Sequence, residues 1–375
     1  MKNKYMKLLL TTSMSSKYYF GSLTRIADLD KRPFTIDKAP RSIWATGDYI
    51  VGRYVGDAEG HGGEVCLELG DGTLQPLKLG DLCVGCFGDR RATFEVVGSW
   101  QLINEASHPI SIDMICGSGL FGIETSRCSR HPPSAKFVYE GHCLRLGKKV
   151  CMKDFGPKEE SATEMMPHCP IILIVGSSMS SGKTFTGQAI IKIIKKDLGL
   201  EKVAAVKFTG AGYKNDIKQF SEAGADIAVD FVDAGYPSTV MPAEDYRESV
   251  LPVMLGILAK MNPDCIVAEV GASPFEAYNG VEVLKELLVS DRRPSRVHVV
   301  VCASDAYAAL GLKEVLVSEG LVKFQPDILG VSGWAASNAA AAALVKRVSG
   351  LQAFNFEDPA SVERLRMLLE KRLLS

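Results

Sequence analysis

The stretch VGSSMSSGKTF at 175–185 follows an apolar run, 171–175, and closes in Gly182-Lys183-Thr184. A Gly/Ser turn between a strand and a helix aims several backbone N–H groups at one point, and the helix behind it adds the positive end of its dipole. That geometry cradles phosphate. Gly176, Ser178, Ser180, Ser181, Gly182, Lys183 and Thr184 are the residues placed to do so. Lys183, read as an exposed loop lysine, reaches the terminal phosphates, and the Thr184 hydroxyl binds Mg²⁺. The general pattern G-x-x-x-x-G-K-[ST] asks for its first glycine at 177. Here that position is Ser177, and the glycine stands one place earlier, at 176. A turn that only capped a helix would have no use for the strand before it and the G-K-T inside it.

Two more charged residues end apolar runs. VAAVK finishes in Lys207 before a small-residue turn, and CIVAE finishes in Glu269 before another. Ligands of open α/β sheets bind in the crevice at the carboxyl ends of the strands. Glu269 there is a candidate to hold Mg²⁺ directly or through water, against the alternative of a solvated strand-end glutamate. Lys207 is a candidate to neutralise a transferring phosphoryl group or a substrate carboxylate, against that of an ordinary surface lysine. The Gly/Pro-containing segments DAGYPST and GASPFEAYNG read as substrate-facing loops, with Glu276 and Tyr278 as polar contacts. Cys83 with Cys86, Cys128 with His131, and the nearby His142-Cys143 have zinc-like spacing. Yet LCVGCFG has the pattern of a strand, in which residues three apart face opposite sides.

The elements that would position these residues fall into two halves. From 170 onward, strand candidates at 171–175, 202–207, 265–270, 297–302, 327–332 and 351–355 alternate with helical patterns. In one of these, 183–198, Phe185, Ala189, Ile193 and Leu198 lie along one face. The alternation predicts a P-loop NTPase-type α/β domain over 170–375, a parallel sheet with helices on both faces. Residues 41–155 instead hold short alternating runs broken by Gly and Asp, with a hairpin signal at Asp71-Gly72. They predict a smaller β-rich N-terminal domain over 1–155, a barrel or sandwich, joined through a linker at 156–169 that lacks periodicity.

Length and composition fit two globular domains: 375 residues, 46% hydrophobic and 23% charged. A net charge of −1 gives no global basic field for nucleic acid or membrane, and no run is long enough to span a bilayer. The apolar run in MKNKYMKLLLTTSMSS is shorter than a signal-peptide core, so a cytoplasmic chain with its ten cysteines reduced is expected.

Gly176, five residues, then Gly182-Lys183-Thr184 resembles the loop of dethiobiotin synthetase and the cobyrinic acid amide-forming synthases, and the resemblance covers roughly 170–355. Lys207 and Glu269 resemble that family's strand-end lysine and its glutamate in E-G-A-G. The stretch GWAASN resembles G-W-x-A-N with one residue inserted, so Ser337 and Asn338 both compete for the base-contacting role, with Asn338 the nominated residue. Asn215-Asp216 resembles N-S-D, whose aspartate is a metal ligand. Asp230 and Asp233 compete with Asp216 for that role, and an N-cap of the helix containing Ile217 and Phe220 is the structural alternative. The resemblance implies an ATP- and Mg²⁺-dependent ligase that activates a carboxyl group of a small metabolite as an acyl phosphate for attack by an amine. Lys183 and Lys207 would be the catalytic residues, and a homodimer acting on a small carboxylate- or amine-bearing substrate is expected. A small-molecule kinase uses the same parts. A nucleotide-gated, GTPase-like chaperone or cofactor-assembly protein is the reading from another class, with the β-rich half as its partner-binding module.

Overall fold

Ile171–Gly176 is buried along its whole length, as a strand in the middle of a parallel sheet must be. In the computed structural model, which describes residues 18–57, 64–157, 165–294, 296–322 and 327–374, this strand lies third from one edge of a six-stranded sheet. The order is Ile227–Asp230, Val203–Lys207, Cys265–Glu269, Ile171–Gly176, Val297–Cys302, Ile328–Ser332. All five pairings are parallel. The period of two divides the strand residues between two cores. Ile172 and Ile174 pack with Ile190, Ile194, Phe220 and Leu369, from helices Lys183–Lys196, Lys214–Glu222 and Pro359–Leu373. Ile171, Leu173 and Val175 pack with Met254, Leu284 and Leu316 on the other face. The second half is thus a parallel α/β sheet with helices on both faces.

Three details of this half differ from the sequence pattern. Residues 351–355 form no strand; the chain makes one parallel bridge, Val331 to Ala353, before Asn355 turns it into the last helix. The edge strand Ile227–Asp230 escapes notice because it has only four residues and begins with an exposed isoleucine. Phe185, grouped by periodicity with Ala189 and Ile193 on one face, is 57% exposed, because the buried stripe of its helix runs through Thr186, Ile190 and Ile194 instead. It packs edge-on against Phe356 instead.

In the first half, strands Leu82–Phe87, Tyr49–Asp57, Ala135–Arg145, Ser111–Cys116 and Leu120–Arg127 pair in that order. A parallel pairing of Leu120–Arg127 back to Leu82–Phe87 closes the ring into a small barrel. Ile50, Phe87, Phe121 and Phe137 belong to one apolar cluster of this half. The Asp71-Gly72 turn joins Cys66–Glu68 to Leu74–Pro76 in a hairpin, with Gly72 at φ +81°. Cys83 packs in the cluster with Phe87, whereas Cys86 packs with Val84 and Met152 in the core shared with the parallel sheet. Those two cysteines therefore point apart and cannot share a metal. The segment read as the chain's cytoplasmic start, and residues 158–164 of the linker, lie outside the described residues. Among the described residues no helix is long and apolar enough to cross a membrane.

Barrel and sheet share one core, in which Leu23, Val84 and Leu120 join Phe208, Phe231 and Val232. Across it Arg25 pairs with Asp230, both side chains almost fully buried. A buried charge that loses its partner typically costs about 3–5 kcal/mol, whereas replacing both partners by apolar groups is often neutral. Arg25→Ala should therefore lower stability by roughly 3 kcal/mol or more in urea denaturation, and Arg25→Met combined with Asp230→Leu should recover most of it. A cost below about 1 kcal/mol for Arg25→Ala would mean that this pair does not tie the halves together.

Candidate active site at the carboxyl edge of the parallel sheet

The loop that follows Ile171–Gly176 turns through Ser180 at φ +57° and Gly182 at φ +93° into the helix beginning at Lys183. The Lys183 side chain folds back over the loop and donates to the Ser178 carbonyl at 2.8 Å. A Cβ at 176 would stand 2.7 Å from Lys183 Cδ and 2.9 Å from its Nζ. The glycine is therefore needed where the lysine passes, at 176, and Ser177 can occupy the next place. Lys183 is not the exposed lysine expected: it is only 6% accessible, and burial pushes its pKa down despite the nearby Glu269 carboxylate. The Ser177 and Ser181 hydroxyls are buried and have no hydrogen-bond partner among the described residues. A second turn braces the loop from outside. Gly333 (φ +78°) approaches so closely that a Cβ there would collide with the Ser181 carbonyl, and Trp334 Nε1 donates to the Ser180 carbonyl at 2.9 Å.

Lys207 is level with Glu269 on one neighbouring strand and with Asp230 on the other. Thr184 Oγ1 donates to Glu269 Oε2 at 3.0 Å and lies 3.5 Å from Asp216 Oδ1. Asp216 in turn forms an ion pair with Lys207. Burial raises the Glu269 pKa, the Asp216 charge raises it further, and Lys207, Lys183 and the Thr184 hydrogen bond oppose them. Burial works against the charge of Lys207, but Asp216 and Glu269 outweigh it and hold its pKa above the usual lysine value. Lys183, Thr184, Lys207, Asp216 and Glu269, distant in the chain, thus meet around one point.

The choice among the three aspartates follows from their partners. Asp230 is taken by Arg25; burial lifts its pKa to about 6, against the Arg25 charge. Asp233 accepts the Asp230 backbone N–H. Asp216 alone reaches Thr184. Nor is Asp216 an N-cap: it is the third residue of helix Lys214–Glu222, whose cap position is Tyr213. The exposed amides of that helix are answered from the barrel. Glu68, buried in the hairpin strand, accepts the Lys214 N–H at 2.8 Å and the Asn215 N–H at 2.9 Å, and also the Ser22 hydroxyl. A carboxylate at a helix N-terminus is favoured by both hydrogen bonding and the helix dipole. Glu68 therefore fixes the turn that carries Asp216. No local spacing in the sequence marks it.

These groups line a cavity of about 710 Å³ whose wall includes Arg90 and Glu95 of the barrel with Tyr213 and Tyr278 of the second half. Glu276, one of the two polar residues of the substrate-facing loop, binds Thr93 of the barrel instead. Beyond Gly182 lies a second cavity of about 380 Å³, lined by Phe185, Trp334, Ser337, Asn355, Phe356 and Glu357 among others. Asn338 does not line it; its side-chain oxygen caps helix Ala339–Ser349 by accepting the Ala341 N–H at 3.0 Å. The amide beside this cavity is Asn355. Of the zinc-spaced residues, His142 is buried against Tyr139 and Asp48, and the His131 ring meets the Pro132 carbonyl. No group of three or more His, Cys, Asp and Glu among the described residues is arranged to hold a metal.

No family model and no curated protein matches the chain. Among solved structures it is similar to the hydrogenase maturation factor HypB from Archaeoglobus fulgidus. There the identity is 15%, the overlap covers 57% of this chain and 92% of that one, and the TM-score is 0.32. It is also similar to a DUF1611-family protein from Anabaena variabilis ATCC 29413, at 15% identity over 61% of this chain and 66% of that one, with a TM-score of 0.30.

Glu68→Gln keeps the shape of the capping side chain but turns an NH₂ group toward one of the two amides it serves. Loss of such a cap typically costs about 1–2 kcal/mol. The turn carrying Asp216 should loosen, seen as faster amide hydrogen exchange at Lys214 and Asn215, while the protein stays folded. Unchanged exchange there would separate Glu68 from the site.

Proposed function

We propose that the chain is an ATP- and Mg²⁺-dependent enzyme that transfers the terminal phosphoryl group to a carboxylate of a small metabolite and forms an amide from the product. The observation that carries this reading is the convergence of Lys183, Thr184, Lys207, Asp216 and Glu269 on one wall of a cavity large enough for a second substrate. The loop fits phosphate: among the described residues two buried serine hydroxyls lack partners, and the Lys183 ammonium donates to a carbonyl that a phosphate oxygen can replace. The oxygens of Thr184, Asp216 and Glu269 fit Mg²⁺, which takes one or two carboxylates and completes its shell with phosphate and water. Bound there, the metal would neutralise charge on the phosphates. The second cavity, flanked by Phe185, Trp334 and Phe356, would receive the base.

In the transfer, a carboxylate oxygen attacks the terminal phosphorus, the bond to the bridging oxygen breaks, and the nucleoside diphosphate leaves with that electron pair. An amine nitrogen then attacks the acyl carbon, inorganic phosphate departs, and the amine loses a proton to solvent. The chain's part is positioning and charge. Loop amides and Lys183 orient the triphosphate, and Lys207, kept charged by its two carboxylate neighbours, faces the negative charge in flight. A kinase would stop after the first step. One observation favours a nucleotide-gated binding protein instead: Glu68 links the barrel directly to the helix bearing Asp216, so occupancy of the site would be felt by the barrel.

Lys207→Ala separates these readings. For the enzyme, nucleotide affinity measured by calorimetry should change little, while acceptor-dependent turnover falls by roughly 100-fold, the scale of one lost electrostatic stabiliser. Nucleotide hydrolysis with no dependence on any small acceptor, in wild type and variant alike, would favour the gated binder and remove the ligase reading.

A further inference from the structure

The wall that the barrel contributes to the cavity carries a charge that nucleotide chemistry leaves unused. Arg90, in strand Asp89–Arg91, has a side chain only 5% exposed. Its Nη1 donates to the Ile115 carbonyl at 2.8 Å, its Nη2 pairs with Glu95, and its buried Nε–H has no partner among the described residues. Two hydroxyls from the second half line the same cavity. Tyr213 Oη accepts the Gly117 N–H at 3.1 Å, and Tyr278 Oη accepts the Arg91 N–H at 3.0 Å. Each phenol therefore still has its own proton to give, and neither proton has an acceptor among the described residues. A buried guanidinium and two poised O–H donors, brought together only by docking of the halves, suit a planar anion.

The protein itself shows which anion. The group now on Arg90 is a carboxylate, Glu95, whose side chain is one-third exposed. Its backbone is held separately, by the Cys128 N–H on its carbonyl and by the Ala92 carbonyl on its N–H, so the side chain alone can swing into solvent. We propose that Arg90, Tyr213 and Tyr278 seat a carboxylate of the acceptor molecule, and that Glu95 occupies the seat until the acceptor displaces it. This rests on the reading of the cavity as an acceptor site, and it adds that the acceptor is recognised by the barrel half.

The test is binding without nucleotide, so that it does not depend on phosphoryl transfer. A panel of small carboxylic acids, each paired with its primary amide, is presented to the full chain, and binding is read by ligand-observed NMR. Carboxylates should bind and their amides should not. Arg90→Lys should weaken binding of the carboxylates about tenfold or more, as expected for loss of a charge-assisted guanidinium contact. Arg90 is buried, so should that variant fail to fold, Glu95→Gln, at a partly exposed position, decides. It removes the competing anion, so the same carboxylates should bind several-fold more tightly. Equal binding of acids and amides, no acid bound at all, or unchanged or weaker binding to Glu95→Gln would overturn the proposal. If carboxylates bind as expected but none stimulates nucleotide turnover, the seat stands and the transfer reading falls.

Discussion

The molecule is organised around desolvated charge at the carboxyl edge of its parallel sheet. Lys183, Lys207 and Glu269 are all at least nine-tenths buried, and Asp216 joins them through its ion pair. One unpaired ion in such a place costs several kcal/mol, a large part of a typical net stability of about 5–15 kcal/mol. Two cations and two anions must therefore be held in mutual contact. This is also why their pKa values move in different directions: burial wins at Lys183, whereas the carboxylates win at Lys207. On the proposed reading, a phosphate chain entering the crevice would change that balance, and a divalent cation would restore it.

Holding the cluster requires both halves. The strands supply Lys207 and Glu269 in register, and the first turn of the helix behind the loop supplies Lys183 and Thr184. The helix bearing Asp216 is fixed from outside, by Glu68 of the barrel hairpin and by the contact of the preceding Tyr213 with Gly117. The buried Arg25–Asp230 pair and the continuous core beneath it keep the barrel seated. The barrel is thus part of the site's wall as well as a neighbour of the parallel sheet.

How much of this was legible depends on whether a signal is local. The strand–loop–helix at 171–196 and the strand-end positions of Lys207 and Glu269 follow from apolar runs and the residues that interrupt them. The identity of the second acidic partner does not. Asp216, Asp230 and Asp233 look alike in sequence, and only Arg25, some 200 residues away, shows that Asp230 is already engaged. Asn338 misled because a motif resemblance fixes a neighbourhood and not a side-chain direction; its oxygen serves its own helix. Phe185 misled because the stripe that packs on the sheet runs through Thr186, Ile190 and Ile194, one place further along the helix. Glu68, Arg90 and Tyr213 were invisible as site residues, since nothing near them in the chain refers to a loop on the other half.

The central claim is that the loop at 176–184 and the acidic pair beside it bind a nucleoside triphosphate together with Mg²⁺. Isothermal calorimetry with a non-hydrolysable ATP analogue, run with Mg²⁺ and again with excess EDTA, tests it most directly. The arrangement predicts a single site per chain whose affinity falls many-fold when the metal is removed. No binding under either condition, or the same affinity in both, would contradict it.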